Sequence, residues 1–168
     1  MSQLALPYLP TPERAIKQII AFLQKYFSET IVQTYRLVDL GAGDGRVVHA
    51  LAMAFPQWQV RGVEINKELS DTATKLVAGL PNAQIFRGDI FQEDLTGVDV
   101  VFLFALPTIM PNLRHTFAAL GKDAIIITFQ YPLNILGFSV KEIHKEIVQV
   151  SKYSYQFFVN SIESRACR

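Results

Sequence analysis

Apolar residues recur along this chain in two alternating rhythms. After Pro10-Thr11-Pro12-Glu13, the residues Ile16, Ile19, Ile20, Leu23, Tyr26 and Phe27 fall three or four apart. That spacing predicts a helix with one apolar face. Thr11 is a residue that caps helices, and Pro12 suits the first helical position. A short apolar run over 35–40 follows and ends in Gly41-Ala42-Gly43-Asp44-Gly45. The helical rhythm returns with Val47, Val48, Leu51, Ala54 and Phe55, and Pro56 stops it, because a residue before proline avoids the helical region. A second strand is expected over 58–64. Asn66 is placed to cap a third helix carrying Leu69, Ala73, Leu76 and Val77, with Gly79 and Pro81 closing it. Strands are expected over 83–87, 98–104 and 124–129, with a helix over 111–120 ended by Gly121.

The strands read as nearly continuous apolar runs, the pattern of strands covered on both faces. Strand–helix units in alternation predict an α/β fold with a mostly parallel sheet. The rhythm breaks after the fifth strand. About ten residues, 130–139, separate it from the next candidate, fewer than a parallel crossover needs. Two strands, 140–150 and 153–162, are therefore expected to pair antiparallel, with Tyr153, Tyr155, Phe157 and Val159 alternating against polar or less buried positions. The last crossover helix is shortened or missing. The 168 residues suit a single domain spanning 1–168.

Composition narrows the setting. Half the residues are hydrophobic, enough to bury a substantial core. Sixteen basic against fifteen acidic side chains leave a net charge of +1, so no overall basic balance argues for nucleic acid. Residues 1–9 lack the basic start of a signal peptide. The longest apolar stretches, near 98–110 and 124–128, fall short of a membrane span. The one cysteine, Cys167, cannot form an intrachain disulfide, and a cytoplasmic protein is expected. No Cys-x-x-Cys pair or His/Cys cluster suggests a metal. His49, His115 and His144 are scattered and read as surface or packing residues.

The chemistry concentrates at three predicted strand ends. Gly41, Gly43 and Gly45 follow the first strand in the pattern G-x-G-x-G, with Asp39 two residues ahead. Glycines in such a turn let backbone approach a ligand closely. A dinucleotide loop is spaced G-x-G-x-x-G and presents a helix end to a pyrophosphate, which an adjacent acid would repel. S-adenosylmethionine (SAM) has no phosphate; it carries a sulfonium, an ammonium and a carboxylate. Asp39 is suited either to balance that ammonium or to hold the loop amides, and Asp44 to brace the loop. Glu64, at the end of the second strand, is suited to accept both ribose hydroxyls or to act as a charge at a helix start. Asp89, past the third strand, is suited to accept from an adenine amino group, with Ile90 against the ring, or to be a turn residue. Asp39, Glu64 and Asp89 each fall at the carboxyl end of a strand, the edge along which open α/β sheets bind ligands.

These motifs resemble class I SAM-dependent methyltransferases, with their Rossmann-like seven-stranded fold. Pro7-Tyr8-Leu9-Pro10-Thr11-Pro12 is similar to the PYVPTP opening of a small subfamily of archaeal and mitochondrial protein-lysine N-methyltransferases. Asp39 to Arg46 resembles that group's DLGCGDGR, Val63-Glu64-Ile65-Asn66 its VEI(D/N), and Gly88-Asp89-Ile90-Phe91 its GD(I/L)F. The similarity runs from Pro7 to about Gly137. It implies that SAM is the cofactor, and that Leu40, Gly41, Ala42, Gly43 and Asp44 surround its methionine part. It further implies that Glu64 and Ile65 take the ribose, and Asp89 and Ile90 the adenine. Residues 1–30, with Tyr8 and Thr11, would fold over the cofactor.

The group's cysteine is Ala42 here. Phe104-Ala105-Leu106-Pro107 and Phe129-Gln130-Tyr131-Pro132 stand where relatives carry other residues; the archaeal relative has Ser-His-Glu-Phe at the second place. Both segments are expected to line the acceptor pocket, with Leu106, Pro107 and Tyr131 as its candidates and Phe104 as a cofactor contact. Tyr8, Phe104 and Tyr131 suit a narrow lysine channel, a face turned to the cationic sulfonium, or the core. The apolar 102–110 stretch is either buried or a docking surface. Phe104 to Pro107 lacks the Asn/Asp-Pro-Pro-aromatic pattern expected for methylating a base amine. A protein lysine is the expected acceptor and nucleic acid an unlikely partner, and no metal and no membrane are expected. The readings that remain are a small-molecule or RNA methyltransferase and a non-catalytic SAM-binding module. An NAD-dependent oxidoreductase is disfavoured by the third glycine's spacing.

Overall fold

The computed structural model describes residues 8–29, 34–135 and 138–165. Pro7, Gly137 and Cys167, with the rest of 1–7 and 30–33, lie outside the described residues. Helix α1 (Glu13–Tyr26) leads into β1 (Arg36–Leu40), α2 (Arg46–Ala54), β2 (Gln59–Glu64), α3 (Lys67–Val77) and β3 (Ala83–Arg87). A 3₁₀ turn (Ile90–Gln92), β4 (Val100–Leu103), a second 3₁₀ turn (Met110–Leu113), α4 (Arg114–Phe117) and β5 (Ile125–Phe129) follow. A long hairpin, β6 (Phe138–Val150) and β7 (Tyr153–Arg165), ends the described chain.

One seven-stranded sheet has the order β3-β2-β1-β4-β5-β7-β6. The pairs from β3 through β5 are parallel, and β7 runs antiparallel to both β5 and β6. Chain order reverses between β1 and β4, which creates the crevice where such sheets take ligands. One core, built on Leu37, Val60, Val100, Phe102, Ile125 and Ile127, packs against α1 and α2. The other, on Val38, Leu40, Val101, Leu103 and Ile126, packs against Met110, Leu113 and Phe117.

Four local expectations need correction. Thr11 does not cap α1: Pro12 is the cap residue, with no side-chain bond there, and its carbonyl accepts from Ala15 and Ile16 at 2.9 and 3.1 Å. Thr11 is instead buried. The helix expected over 111–120 is a 3₁₀ turn joined to a single α-helical turn, with Pro111 inside the first. Strand β4 is also shorter than expected, at Val100–Leu103. Finally, Phe158 and Asn160 are buried like Phe157 and Val159. The last strand in sequence lies inside the sheet, with β5 and β6 pairing its two edges, and successive residues 157–160, which point to opposite faces, are all buried. The Asn66 cap is as expected, its side chain accepting from Leu69 N at 3.1 Å.

The 102–110 stretch takes the buried alternative: Phe102, Leu103, Ala105 and Met110 are core residues. Among the described residues no helix is long and apolar enough to cross a membrane.

Candidate active site at the carboxyl edge of the sheet

Strand β1 ends at Leu40, opposite Val63, one residue before β2 ends at Glu64. Beyond them the chain turns through Gly41, Gly43 and Gly45, whose φ angles of 86°, 56° and 82° lie in the left-handed region. The loop is gripped by main chain: the amides of Gly41 and Ala42 both donate to the Val63 carbonyl at 2.9 Å. Asp39 therefore does not hold the loop amides, and that alternative falls. The close packing beneath depends on Gly62. A Cβ there would stand 2.6 Å from Ala42 Cβ and 2.8 Å from Val48 Cγ2, inside van der Waals contact.

Glu64 joins two pieces of backbone. Its Oε2 accepts from Gly43 N and its Oε1 from Asn66 N, each at 2.8 Å. Although 92 % of its surface is covered, each oxygen keeps a lone pair for a further donor. Next to it, Gly88 N donates to the Glu64 carbonyl at 3.1 Å, which brings the Asp89 turn alongside. Asp89 Oδ1 accepts from Phe91 N at 3.0 Å and caps the 3₁₀ turn, so the turn reading holds and the other oxygen is left over. Ile65 is half exposed and Ile90 half-buried. Two apolar side chains thus flank Glu64 and Asp89 in sequence.

Asp39 is the electrostatic anomaly. It is 2 % exposed. Burial, then the neighbouring carboxylates of Glu64 and Asp44, push its pKa up to about 8. A buried acid facing like charges favours its neutral form until a cation arrives. Asp44, by contrast, is held below the usual carboxylate range. Its partial burial pushes upward, and the Arg46 guanidinium outweighs this, helped by the Tyr8 hydroxyl and the Arg46 amide. The Arg46 fork is two-pronged, Nε to Oδ1 at 3.0 Å and Nη2 to Oδ2 at 2.7 Å. Asp44 thus braces the loop as expected. Tyr8 lies over this loop. Its Cε2 would be 2.5 Å from a Cβ on Gly43, so only glycine lets the ring approach so near. Burial and then Asp44 raise the phenol's pKa.

The acceptor-side candidates separate. Phe104 packs edge-on to Phe129, with ring centroids 5.0 Å apart, in the α1-side core. Tyr131 packs in the opposite core, which favours the packing reading for it. The Leu106 carbonyl accepts from Ile109 N at 3.0 Å and starts a turn, while Pro107 is exposed. Sequence reasoning missed the Val63 carbonyl and Gly62. Only Gly62 left a trace in the sequence, as a glycine inside a strand, which marks a close approach. Among the described residues no cluster of His, Cys, Asp or Glu is placed to hold a metal.

The site fits SAM. A buried carboxylate waits for a cation, backbone comes close at a glycine cradle, and acids stand where hydroxyl and amino donors can meet them. A Rossmann-like sheet with such an edge defines a class I SAM-dependent methyltransferase. Residues 39–137 match the ANTKMT methyltransferase domain, and the chain belongs to that family. It is 30 % identical to a protein-lysine N-methyltransferase of Saccharolobus islandicus, over 83 % of this chain and 84 % of that one. It is 25 % identical to a Caenorhabditis elegans lysine N-methyltransferase named for ATP synthase, over 79 % and 70 % of the two chains. The crystal structure of an RNA methyltransferase from Salinibacter ruber with S-adenosyl-L-homocysteine shares the fold. Its TM-score is 0.71 at 22 % identity, covering 93 % of this chain and 95 % of that one. The enzyme is a methyltransferase, with SAM as its methyl donor.

Proposed function

We propose that the enzyme methylates lysine ε-amino groups in a protein substrate. The observation that carries this reading is the 30 % identity to an archaeal protein-lysine N-methyltransferase along most of both chains. The site agrees with it. The segment after β4, Phe104-Ala105-Leu106-Pro107, offers no side-chain amide or carboxylate to a base amine.

SAM supplies a methyl group on a sulfonium that departs as a neutral thioether. The residues around it bind and orient. Asp39 balances the ammonium. Leu40, Gly41, Ala42 and Gly43 present main chain to the methionine part, and Asp44 fixes that loop through Arg46. Glu64 accepts from the ribose hydroxyls on the lone pairs its amide partners leave free. Asp89 accepts from the adenine amino group, between Ile65 and Ile90. Residues 1–30 supply a covering segment and a helix in this reading: Tyr8 lies over Gly43, Thr11 is buried, and α1 follows. The domain spans the full 168 residues in this reading.

For the acceptor, Phe104 with Leu106 and Pro107 forms an apolar wall. Desolvation there lowers a lysine's pKa and yields the neutral amine, its proton passing to water. Holding amine and methyl in line is worth roughly 7–11 kcal/mol, so positioning supplies most of the rate and no side-chain base is required. Incubation of a cell extract with tritiated SAM, followed by mass mapping, tests the reading. Label on protein lysines is expected. Label confined to RNA or small molecules would refute it.

A further inference from the structure

The turn that carries Asp89 and Ile90 needs outside support. Its own main-chain bond runs from Gln92 N to the Asp89 carbonyl at 2.9 Å, and the hydrogen-bond geometry of a short 3₁₀ turn is poor. Asp89 Oδ1 adds a cap at Phe91 N, and Gly88 N ties the turn's entry to the Glu64 carbonyl at 3.1 Å. A further tie crosses the fold. Thr116 Oγ1 in α4 donates to the Ile90 carbonyl at 3.0 Å, from 26 residues away in sequence.

That bond is not the usual one for a helical threonine. Such hydroxyls turn back to a carbonyl in the preceding turn of their own helix. Thr72 and Thr74 do so in α3, donating to the Glu68 and Ser70 carbonyls at 2.9 and 2.8 Å. Thr116 is 3 % exposed and reaches out of its helix instead. Leu113 and Phe117, at the two ends of the same helical turn, are fully buried, so the hydroxyl stands on a fixed base.

We propose that Thr116 is a positioning residue for adenine recognition: by holding the Ile90 carbonyl it aims the free oxygen of Asp89 at the adenine amino group and sets the Ile90 side chain against the ring. This inference rests on the assignment of Asp89 to adenine made above. Thr116 itself touches no ligand and acts through the backbone of the turn. The ribose and methionine contacts belong to Glu64 and the glycine loop, so losing the Thr116 hydroxyl weakens the reading of the base and leaves the rest of the cofactor held.

Calorimetric titration with S-adenosyl-L-homocysteine and with S-inosyl-L-homocysteine, in which a carbonyl oxygen replaces the amino group, tests this. Wild type is expected to prefer the adenosyl compound by about tenfold or more, the size of a hydrogen bond to a charged group. Thr116→Val removes the donor at nearly constant shape. Its affinity for the adenosyl compound is expected to fall about three- to tenfold, while its affinity for the inosyl compound stays within about twofold, so the preference shrinks. Thr116→Ser keeps the hydroxyl and is expected to restore the wild-type preference. Should the valine variant not fold, Thr116→Cys, a weaker donor, is expected to show a reduced preference in its place. A folded valine variant with the wild-type preference would overturn this inference alone. So would equal losses for both compounds, which mark a merely structural bond. A wild-type enzyme that binds the two compounds equally would overturn the adenine assignment with it.

Discussion

Asp39 shows how one buried carboxylate sets a pH dependence. Its folded pKa is about 8, raised by burial and then by Glu64 and Asp44, against about 3.8 when unfolded. Between those values the folded protein holds a proton that the unfolded chain does not. The associated stability is complete below about pH 4 and is lost as pH rises through 8. Asp39→Asn cannot ionise, so the ligand-free variant is expected to hold its thermal midpoint better than wild type from pH 6 to 9. It is also expected to bind SAM about 10- to 100-fold more weakly, since a hydrogen bond to a charged group is worth about 1.5–3 kcal/mol. In wild type, SAM binding below pH 8 should release a proton, visible as a buffer-dependent calorimetric enthalpy. Parallel stability–pH curves for the two proteins would contradict the assignment. Glu64 makes a different point. Because its oxygens accept from Gly43 N and Asn66 N, Glu64→Gln sets an amide NH₂ against one of two backbone donors. It is expected to weaken SAM binding by at least as much as Glu64→Ala, by more than about 1 kcal/mol, in a titration of either variant.

At the scale of elements, the strands and the glycine loop were legible because each is a local pattern. An apolar run of strand length, a turn of glycines and Asn66 before a helix all act within a few residues. What was not legible depends on partners distant in sequence. Nothing within 153–162 announces that β7 sits between β5 and β6, so Phe158 and Asn160 read as the outer face. The helix expected over 111–120 shortened because Met110 and Leu113, three apart, sit in a 3₁₀ turn, and only the step from Leu113 to Phe117, four apart, keeps the α-helical spacing. The acids of the site could be located from strand ends alone. Gly62 joins element to site. Gly62→Ala would press a methyl into Ala42, Val48 and Ile85, an overpacking that costs about 1–3 kcal/mol. Urea unfolding should show that loss, and SAM affinity should fall with it, because Ala42 belongs to the glycine loop. A destabilised variant with unchanged affinity would show that the loop is insulated from the packing below.

Across the whole molecule, the two ends of the described chain hold one another. Phe22 of α1 stacks on His144 of β6 at 4.6 Å and meets Phe157 of β7 edge-on at 6.4 Å, so the hairpin packs on the first helix, while the glycine loop and the acids lie at the ends of β1, β2 and β3, toward the other end of the strand order. This division predicts where cofactor binding is felt. A ligand present at a hundred times its dissociation constant stabilises the native state by about 2.7 kcal/mol, and exchange through global unfolding slows everywhere by that amount. Local opening behaves differently, since only segments that the ligand touches must release it before they open. Hydrogen exchange with and without SAM, under conditions where local opening dominates, is therefore expected to protect residues 40–46, 64–66 and 88–91. The outer half of the β6–β7 hairpin should exchange at its ligand-free rate. Tyr8 lies on Gly43, so the segment after it should join the protected set although it belongs to no strand. Protection concentrated in the hairpin, with the glycine loop unchanged, would place the cofactor at the wrong end of the strand order and refute the site.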